Sequence, residues 1–129
     1  MTTQRSILIV DDEFGLAEML REVLREHQYD VTLAINGRLA LEILAERKID
    51  LVITDLMMPV MDGAELANAM RNSDGHRKIP IVMMTSLPTA IPRSSGLYDD
   101  VLRKPFTPEH FLETVHACLT TAEHRTQGD

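Results

Sequence analysis

The sequence predicts an α/β protein with five parallel strands in a doubly wound sheet and helices on both faces. Apolar runs rich in β-branched residues alternate with segments of helical periodicity, a pattern typical of βαβ units with right-handed crossovers. The runs at residues 6–10, 51–54 and 80–84 are almost wholly apolar, as expected for central strands covered on both faces. The length of 129 residues fits one domain, with a core at about residues 5–120 and a polar tail at 122–129.

The first two βα units follow from the spacing of apolar residues. Behind the strand at 6–10, one helix face is formed by Leu16, Leu20, Val23 and Leu24. After a second strand at 31–34, Gly37 opens another helix. Its predicted inward residues are Leu39, Ala40, Ile43 and Leu44.

The third unit begins with the strand that ends at Asp55. A loop at residues 57–62 follows, and Gly63 opens a helix. The predicted inner face of this helix consists of Leu66, Ala67 and Met70. Turn-forming residues at 72–75 then lead into the fourth strand.

The end of the chain contains a short fifth strand at 101–103 and a last helix. Thr107 at the N-cap and Pro108 at the first helical position are a strong helix start. Its inner face is predicted to be Phe111, Leu112, Val115 and Leu119. Before this strand, Pro92 would cost about 3 kcal/mol inside a helix, whereas Pro88 would be harmless in a first turn. We therefore expect any helix in this segment to be short or distorted, and residues 87–98 to be the least ordered long segment.

Composition narrows the class of partner. The formal net charge of −7 argues against direct nucleic-acid binding, which needs clustered Lys and Arg. The sequence has no apolar run near 18 residues and no signal-peptide pattern at its start. A single cysteine, Cys118, indicates a buried thiol in a reducing compartment. We expect a cytoplasmic protein that does not contact a membrane and whose partners are proteins and cations.

Polar residues follow four of the predicted strands. Asp11 and Asp12 follow the first strand and Asp55 the third, while Thr85 and Lys104 close the fourth and fifth. Parallel strands bring these ends to one sheet edge, where open α/β sheets bind ligands. Two like charges about 4 Å apart repel by about 4 kcal/mol at an effective dielectric of about 20. Three carboxylates there therefore favour a divalent cation and an ammonium group, which indicates a phosphate-handling metal site.

The residues of this edge resemble the receiver domain of two-component response regulators. The resemblance rests on four blocks in order: IVDDE at 9–13, DLMMPVMDG at 55–63, MTS at 84–86 and KPF at 104–106. It extends over almost the whole chain and implies a flavodoxin-like fold with strand order 2-1-3-4-5.

The resemblance also implies roles for individual residues. Asp55 would accept a phosphoryl group, and Asp12, Asp55 and the backbone carbonyl of Met57 would bind Mg²⁺, with Asp11 acting mainly through water. Thr85 would donate its hydroxyl to one phosphoryl oxygen, and Lys104 would neutralise another. A cis peptide bond before the proline of the KPF block would aim the lysine inward.

One position departs from the family pattern, and it concerns signal output. Three residues before the lysine, receivers usually carry Tyr or Phe, but here the residue is Val101, with Tyr98 three residues earlier. The sequence therefore supports phosphorylation better than it supports the usual signalling mechanism, in which an aromatic side chain at this position changes rotamer. A receiver-like scaffold without a phosphorylation cycle stays open as an alternative. An aspartyl phosphatase is disfavoured, because such enzymes need a second acid where Met57 stands.

The implied partners are those of a phosphorelay. A sensor histidine kinase or a histidine phosphotransfer protein would supply the phosphoryl group, and a downstream protein would receive the signal. We expect an apparently stand-alone receiver, which is not an enzyme beyond its own phosphorylation and dephosphorylation.

Overall fold

The chain folds as alternating strands and helices. A computed structural model describes residues 4–87 and 96–128. The elements in these ranges are β1 (Ser6–Val10), α1 (Phe14–Arg25), β2 (Asp30–Ala34), α2 (Gly37–Glu46), β3 (Leu51–Asp55), α3 (Gly63–Arg71), β4 (Ile81–Thr85), β5 (Asp100–Arg103) and α4 (Pro108–Gly128).

The five strands form one parallel sheet in the order β2-β1-β3-β4-β5. Both the predicted doubly wound sheet and the strand order are thereby confirmed. Ile7 of β1 lies opposite Val31 of β2 on one side and Leu51 of β3 on the other. The chain reverses its direction of winding between these two neighbours, and in open α/β sheets the ligand crevice lies at such a reversal.

The core consists of two apolar layers, one on each face of the sheet. Alternate residues of a strand point to opposite faces, so Ile7 and Ile9 pack with α1 and α4, whereas Leu8 and Val10 pack with α2 and α3. Buried residues of the first layer include Leu20, Leu24, Phe111, Val115, Cys118 and Leu119. Those of the second include Ala40, Leu44, Leu66, Ala67 and Met70. These are the helix faces that the sequence predicts.

Three helices begin with side-chain caps. Asn36 accepts a hydrogen bond from the Leu39 amide at the start of α2, at 2.9 Å. Asp62 and Glu65 form a reciprocal capping box at the start of α3. Thr107 accepts from the amide of His110 at 3.0 Å, as its predicted N-cap role requires. These caps fix where α2, α3 and α4 leave the edge that holds the polar residues.

Two predictions for the second half have different outcomes. Residues 122–129 were expected to form a polar tail after the last helix, but α4 continues to Gly128. The added segment contains Ala, Glu, Arg and Gln and no proline, so its composition favours helix. The short or distorted helix predicted before β5 falls largely on residues 88–95, which lie outside the described residues.

None of the helices in the described ranges is both long enough and apolar enough to span a bilayer.

Candidate functional site

The predicted polar residues meet at the carboxyl edge of the sheet. Val10 lies opposite Thr54, so the residues that follow β1 lie beside the end of β3. Thr85, the last residue of β4, lies opposite Arg103. The Lys104 amide donates to the Thr85 carbonyl at 2.9 Å, which extends the ladder by one residue. The sheet register therefore brings the strand-end groups together.

Three carboxylates form the centre of the site. One oxygen each from Asp11, Asp12 and Asp55 lies within 4.8 Å of the others. Asp11 and Asp55 are buried, at 2% and 9% exposure, whereas Asp12 is exposed. The cluster therefore has two inner acids and one acid at the solvent boundary, a set of oxygen donors that suits a hard cation.

Lys104 lies between the two inner acids. Its Nζ is 3.2 Å from Asp55 Oδ1 and 3.5 Å from Asp11 Oδ2. The peptide bond between Lys104 and Pro105 is cis, as predicted. One ammonium thus faces two carboxylates, so the site has a surplus of negative charge.

The two oxygens of Asp11 differ in their surroundings. Oδ1 accepts a hydrogen bond from the Glu13 amide at 2.9 Å. Oδ2 is buried and has no hydrogen-bond partner within the described part of the chain, although the lysine ammonium lies 3.5 Å away. A buried carboxylate oxygen without a hydrogen bond is costly. An oxygen in this state fits the edge of a hydrated cation site.

Burial and charge shift the proton affinities of these groups. Burial raises the pKa of Asp11 and of Asp55, and the nearby Lys104 offsets only part of the rise. Burial alone would lower the pKa of Lys104, but the charges of Asp11 and Asp55 outweigh it and raise that pKa. The lysine therefore stays charged, while both inner acids favour the neutral form more than free aspartate does.

Thr85 is buried at the end of β4, and its hydroxyl oxygen accepts a hydrogen bond from the Leu87 amide at 3.0 Å. This bond occupies a lone pair of the oxygen and leaves the hydroxyl proton available to a ligand. Thr85 can therefore act as a donor.

The β3–α3 loop, residues 56–62, carries Met57. The Met57 side chain is 73% exposed. The loop closes on itself at its ends, because the Gly63 amide donates to the Leu56 carbonyl at 2.9 Å. A Cβ atom on Gly63 would overlap the carbonyl oxygen of Asp55. Glycine at this position therefore lets α3 begin directly against the backbone of the nucleophile candidate.

Sequence reasoning missed two features beside the site. Val60 has a φ of 73°, which a β-branched residue rarely adopts. No local sequence motif predicts this conformation. Exposed apolar side chains also lie in the segments that follow β1, β2, β3 and β4, and sequence reasoning did not recognise them as one group. It consists of Phe14, Ile35, Met57, Val60 and Leu87.

Val101, which stands where the family usually has Tyr or Phe, lies close in sequence to a partly buried tyrosine. Val101 and Tyr98 are both partly buried and pack against the apolar layer of α2 and α3. The aromatic ring nearest to the usual switch position therefore lies before β5, not within it.

Comparison with known proteins identifies the same arrangement elsewhere. Residues 7–116 match the family model described as the response regulator receiver domain. The DNA-binding response regulator MtrA of Mycobacterium tuberculosis is 38% identical over 121 residues, which cover 92% of this chain and 52% of MtrA. The probable transcriptional regulator ycf27 of Cyanidium caldarium is 35% identical over 125 residues, 95% of this chain and 49% of the relative. The chain thus spans about half the length of these curated relatives.

Solved structures give the same result for the fold. The chemotaxis response regulator CheY4 of Vibrio cholerae superposes with a TM-score of 0.81 at 31% identity, over 90% of this chain and 99% of that chain. The receiver domain of a sensor histidine kinase from Pseudomonas aeruginosa PAO1 gives 0.82 at 25% identity, over 92% and 99%. That receiver was solved with a magnesium ion coordinated in its active-site cleft.

Proposed function

The chain belongs to the response regulator receiver family of two-component signalling, and on that basis we propose that Asp55 accepts a phosphoryl group from a phosphohistidine. The observation that carries this is the position of Lys104 between Asp55 and Asp11, on a strand end that is hydrogen-bonded to Thr85. A nucleophile, a cation and a donor thus surround one small volume at the sheet edge.

The transfer is a displacement at phosphorus. An oxygen of the Asp55 carboxylate forms a bond to phosphorus while the bond between phosphorus and the imidazole nitrogen breaks, and the electron pair returns to that nitrogen. The product is an acyl phosphate. Lys104 neutralises one phosphoryl oxygen, and Thr85 donates its hydroxyl to another.

The residues around Asp55 also fit the divalent cation that this chemistry needs. Asp12, Asp55 and the backbone carbonyl of Met57 would bind Mg²⁺ directly, and Asp11 Oδ2, which accepts no hydrogen bond from the described residues, would act through water. The bound ion would supply positive charge to the phosphoryl oxygens in the transition state. The magnesium-bound receiver from Pseudomonas aeruginosa supports this assignment.

The apolar side chains around the site fit a protein phosphodonor. Phe14 is 70% exposed and begins α1, close in sequence to the acid pair, and the exposed Ile35, Val60 and Leu87 lie in segments that follow β2, β3 and β4. A phosphohistidine must be brought by a sensor histidine kinase or a histidine phosphotransfer protein. Burial of these side chains would favour its docking by roughly 25 cal/mol for each Å² covered.

Output is proposed to occur by docking to a downstream protein, in the cytoplasm. The absence of a nucleic-acid partner stays a prediction from charge, because full-length relatives such as MtrA are DNA-binding regulators and this chain spans about half of them. That the chain functions as a single receiver domain is likewise our proposal. The alternative of a scaffold without a phosphorylation cycle gains no support from the described residues, since the acids, Thr85 and Lys104 converge.

The direct test is intact mass after incubation with acetyl phosphate and Mg²⁺. The expected result is an increase of one phosphoryl group, absent with EDTA. An unchanged mass under both conditions would overturn the assignment.

Docking is tested by comparing two donors. Phe14→Ala should slow phosphorylation by a phosphohistidine protein that labels the parent chain, and leave labelling by acetyl phosphate unchanged. Met19→Ala is the matched control, because Met19 is also an exposed apolar residue of α1 but lies more than a turn further along the helix. Equal effects of both substitutions would argue against a docking role for Phe14.

A further inference from the structure

The β3–α3 loop closely approaches the start of α2 at Gly37. The Gly37 amide donates to the Met61 carbonyl at 3.2 Å. A Cβ atom on Gly37 would lie 2.7 Å from Met61 Cγ, 2.9 Å from its Sδ and 3.0 Å from its Cβ. The Gly37 backbone does not lie in the left-handed region, so close packing is what requires a glycine here.

The loop residues on the other side of this contact have a constrained conformation. The Met61 amide donates to the Pro59 carbonyl at 2.8 Å, which closes a tight turn around Val60. The positive φ of Val60 costs about 1–3 kcal/mol and persists only where the surroundings hold it. The bond and the packing at Gly37 are such surroundings.

The β2–α2 connection, residues 34–37, contacts both halves of the acidic site. At one end the Ala34 carbonyl accepts from the Asp11 amide at 3.0 Å. At the other end Gly37 holds Met61. Between them, buried Asn36 caps α2 and fixes its start. This short connection therefore ties the loop of Asp11 to the loop that carries Met57.

We propose that Gly37 is a positioning residue for the metal site: its contact with Met61 holds the β3–α3 loop where the Met57 carbonyl shares one cation with Asp12 directly and with Asp11 through water. The proposal rests on the proposed function, which assigns the Met57 carbonyl as a ligand. Gly37 itself touches no reacting atom. It acts by leaving room for the Met61 side chain and by donating one hydrogen bond.

The test is a double-mutant cycle with Mg²⁺ affinity as the readout. Gly37→Ala forces the Met61 side chain outward, and we expect the Mg²⁺ dissociation constant, measured by titration calorimetry, to rise about tenfold. Met61→Ala alone should change it by less than about threefold. The double variant removes the contacts at 2.7 and 2.9 Å and should recover most of the loss. Gly75→Ala is the control, because its Cβ would meet nothing within 4 Å.

A purely structural role for Gly37 predicts a different pattern. In that case Gly37→Ala would lower the melting temperature in EDTA and leave Mg²⁺ affinity at the parent value, which would overturn the proposal. If Gly37→Ala does not fold, Gly37→Pro combined with Met61→Ala removes both the hydrogen bond to Met61 and the side-chain contact, and proline suits the first position of a helix. Parent-like affinity in that double variant would also overturn the proposal.

Failure of the underlying function is recognised separately. If the parent chain shows no Mg²⁺ binding, or if Asp12→Ala binds as well as the parent, the metal assignment fails. In that case, amide hydrogen exchange in the metal-free protein still tests whether the contact between Gly37 and Met61 holds the loop. Residues 57–62 should exchange faster in Gly37→Ala than in the parent and in Gly75→Ala, and equal rates would show that Gly37 does not hold the loop.

Discussion

The Nζ atom of Lys104 lies 3.2 Å from Oδ1 of Asp55, and the same ammonium reaches Asp11 Oδ2 at 3.5 Å. One cation therefore balances two buried carboxylates, with Asp12 close to both. The same charged groups that would handle the phosphoryl group therefore also affect the free energy of unfolding.

Asp55→Asn should abolish labelling by acetyl phosphate or phosphoramidate. In metal-free buffer at neutral pH, its melting temperature should equal or exceed that of the parent, because burial raises the pKa of Asp55 and the charged form is disfavoured. The exposed Asp74→Asn is the matched control, with labelling expected at the parent level. Full labelling of Asp55→Asn would contradict the assignment.

The stability difference between parent and Asp55→Asn should depend on pH. The native pKa of Asp55 lies above its value of 3.8 in the unfolded chain, so the native state takes up this proton first as the pH falls. The parent therefore regains stability as the pH falls through the native pKa, and the advantage of Asp55→Asn should shrink there. A difference that stays constant from pH 7 to pH 4 would contradict the raised pKa.

Lys104→Met should destabilise the metal-free protein, by about 2 kcal/mol, because it leaves two buried carboxylates without their ammonium. The pKa of Lys104 is raised above 10.5, so its contribution is complete below that pH and is lost as the pH rises through the native pKa. Chemical denaturation in EDTA measures the loss. Saturating Mg²⁺ should restore part of it, and an unchanged stability in EDTA would argue against the ion pair.

Mg²⁺ should raise the melting temperature of the parent by mass action. A ligand at a hundred times its dissociation constant adds about 2.7 kcal/mol to stability. Asp12→Ala should reduce this increment more than Asp11→Ala, because Asp12 is the proposed direct ligand. A larger loss in Asp11→Ala would make Asp11 the direct ligand and Asp12 the water-mediated one. A parent melting temperature that does not respond to millimolar Mg²⁺ would contradict a metal site.

Arg71→Met should destabilise the fold by about 2–3 kcal/mol without affecting phosphorylation. Arg71 Nη1 donates to the carbonyls of Arg77 and Ile79, both at 2.8 Å, and Nη2 donates to Asp99 at 2.9 Å. The same Asp99 oxygen accepts from the Ile81 amide, so one side chain joins α3 to the start of β4.

The matched control for Arg71→Met is Arg38→Met, which breaks the exposed pair with Glu42. Exposed helical pairs contribute at most about 0.5 kcal/mol. Equal losses for the two variants in urea denaturation would contradict a special role for Arg71.

Dephosphorylation should be slow for a receiver. Met57 and Leu87, two residues after Asp55 and Thr85, are 73% and 66% exposed, and neither apolar side chain can hydrogen-bond to an attacking water. Met57→Asn with Leu87→Glu should speed decay by about tenfold or more, which is about 1.4 kcal/mol of barrier or more. Decay of the phosphorylated protein in Mg²⁺ is the measurement. A double variant that decays no faster than the parent would show that phosphate lifetime is set elsewhere.

Much of this architecture could be predicted from local sequence patterns. Continuous apolar runs predicted β1, β3 and β4, and strand-end residues such as Asp55 placed the site at one edge, because parallel strands align their ends. The contact between Gly37 and Met61 was not readable, because it joins residues far apart in sequence. The positive φ of Val60 could not be predicted for a different reason. A β-branched side chain disfavours this backbone conformation, so the residue type at position 60 predicts a negative φ.

The backbone bond between the Lys104 amide and the Thr85 carbonyl has a mechanical consequence. Thr85 ends β4 and Lys104 leaves the edge strand β5, so the two groups that would grip a phosphoryl ligand are parts of one hydrogen-bonded ribbon. A shift of the Thr85 backbone toward the acids would therefore move the Lys104 backbone with it. Such a shift would pass from β4 to the edge strand β5 through main-chain atoms, without an aromatic side chain at position 101.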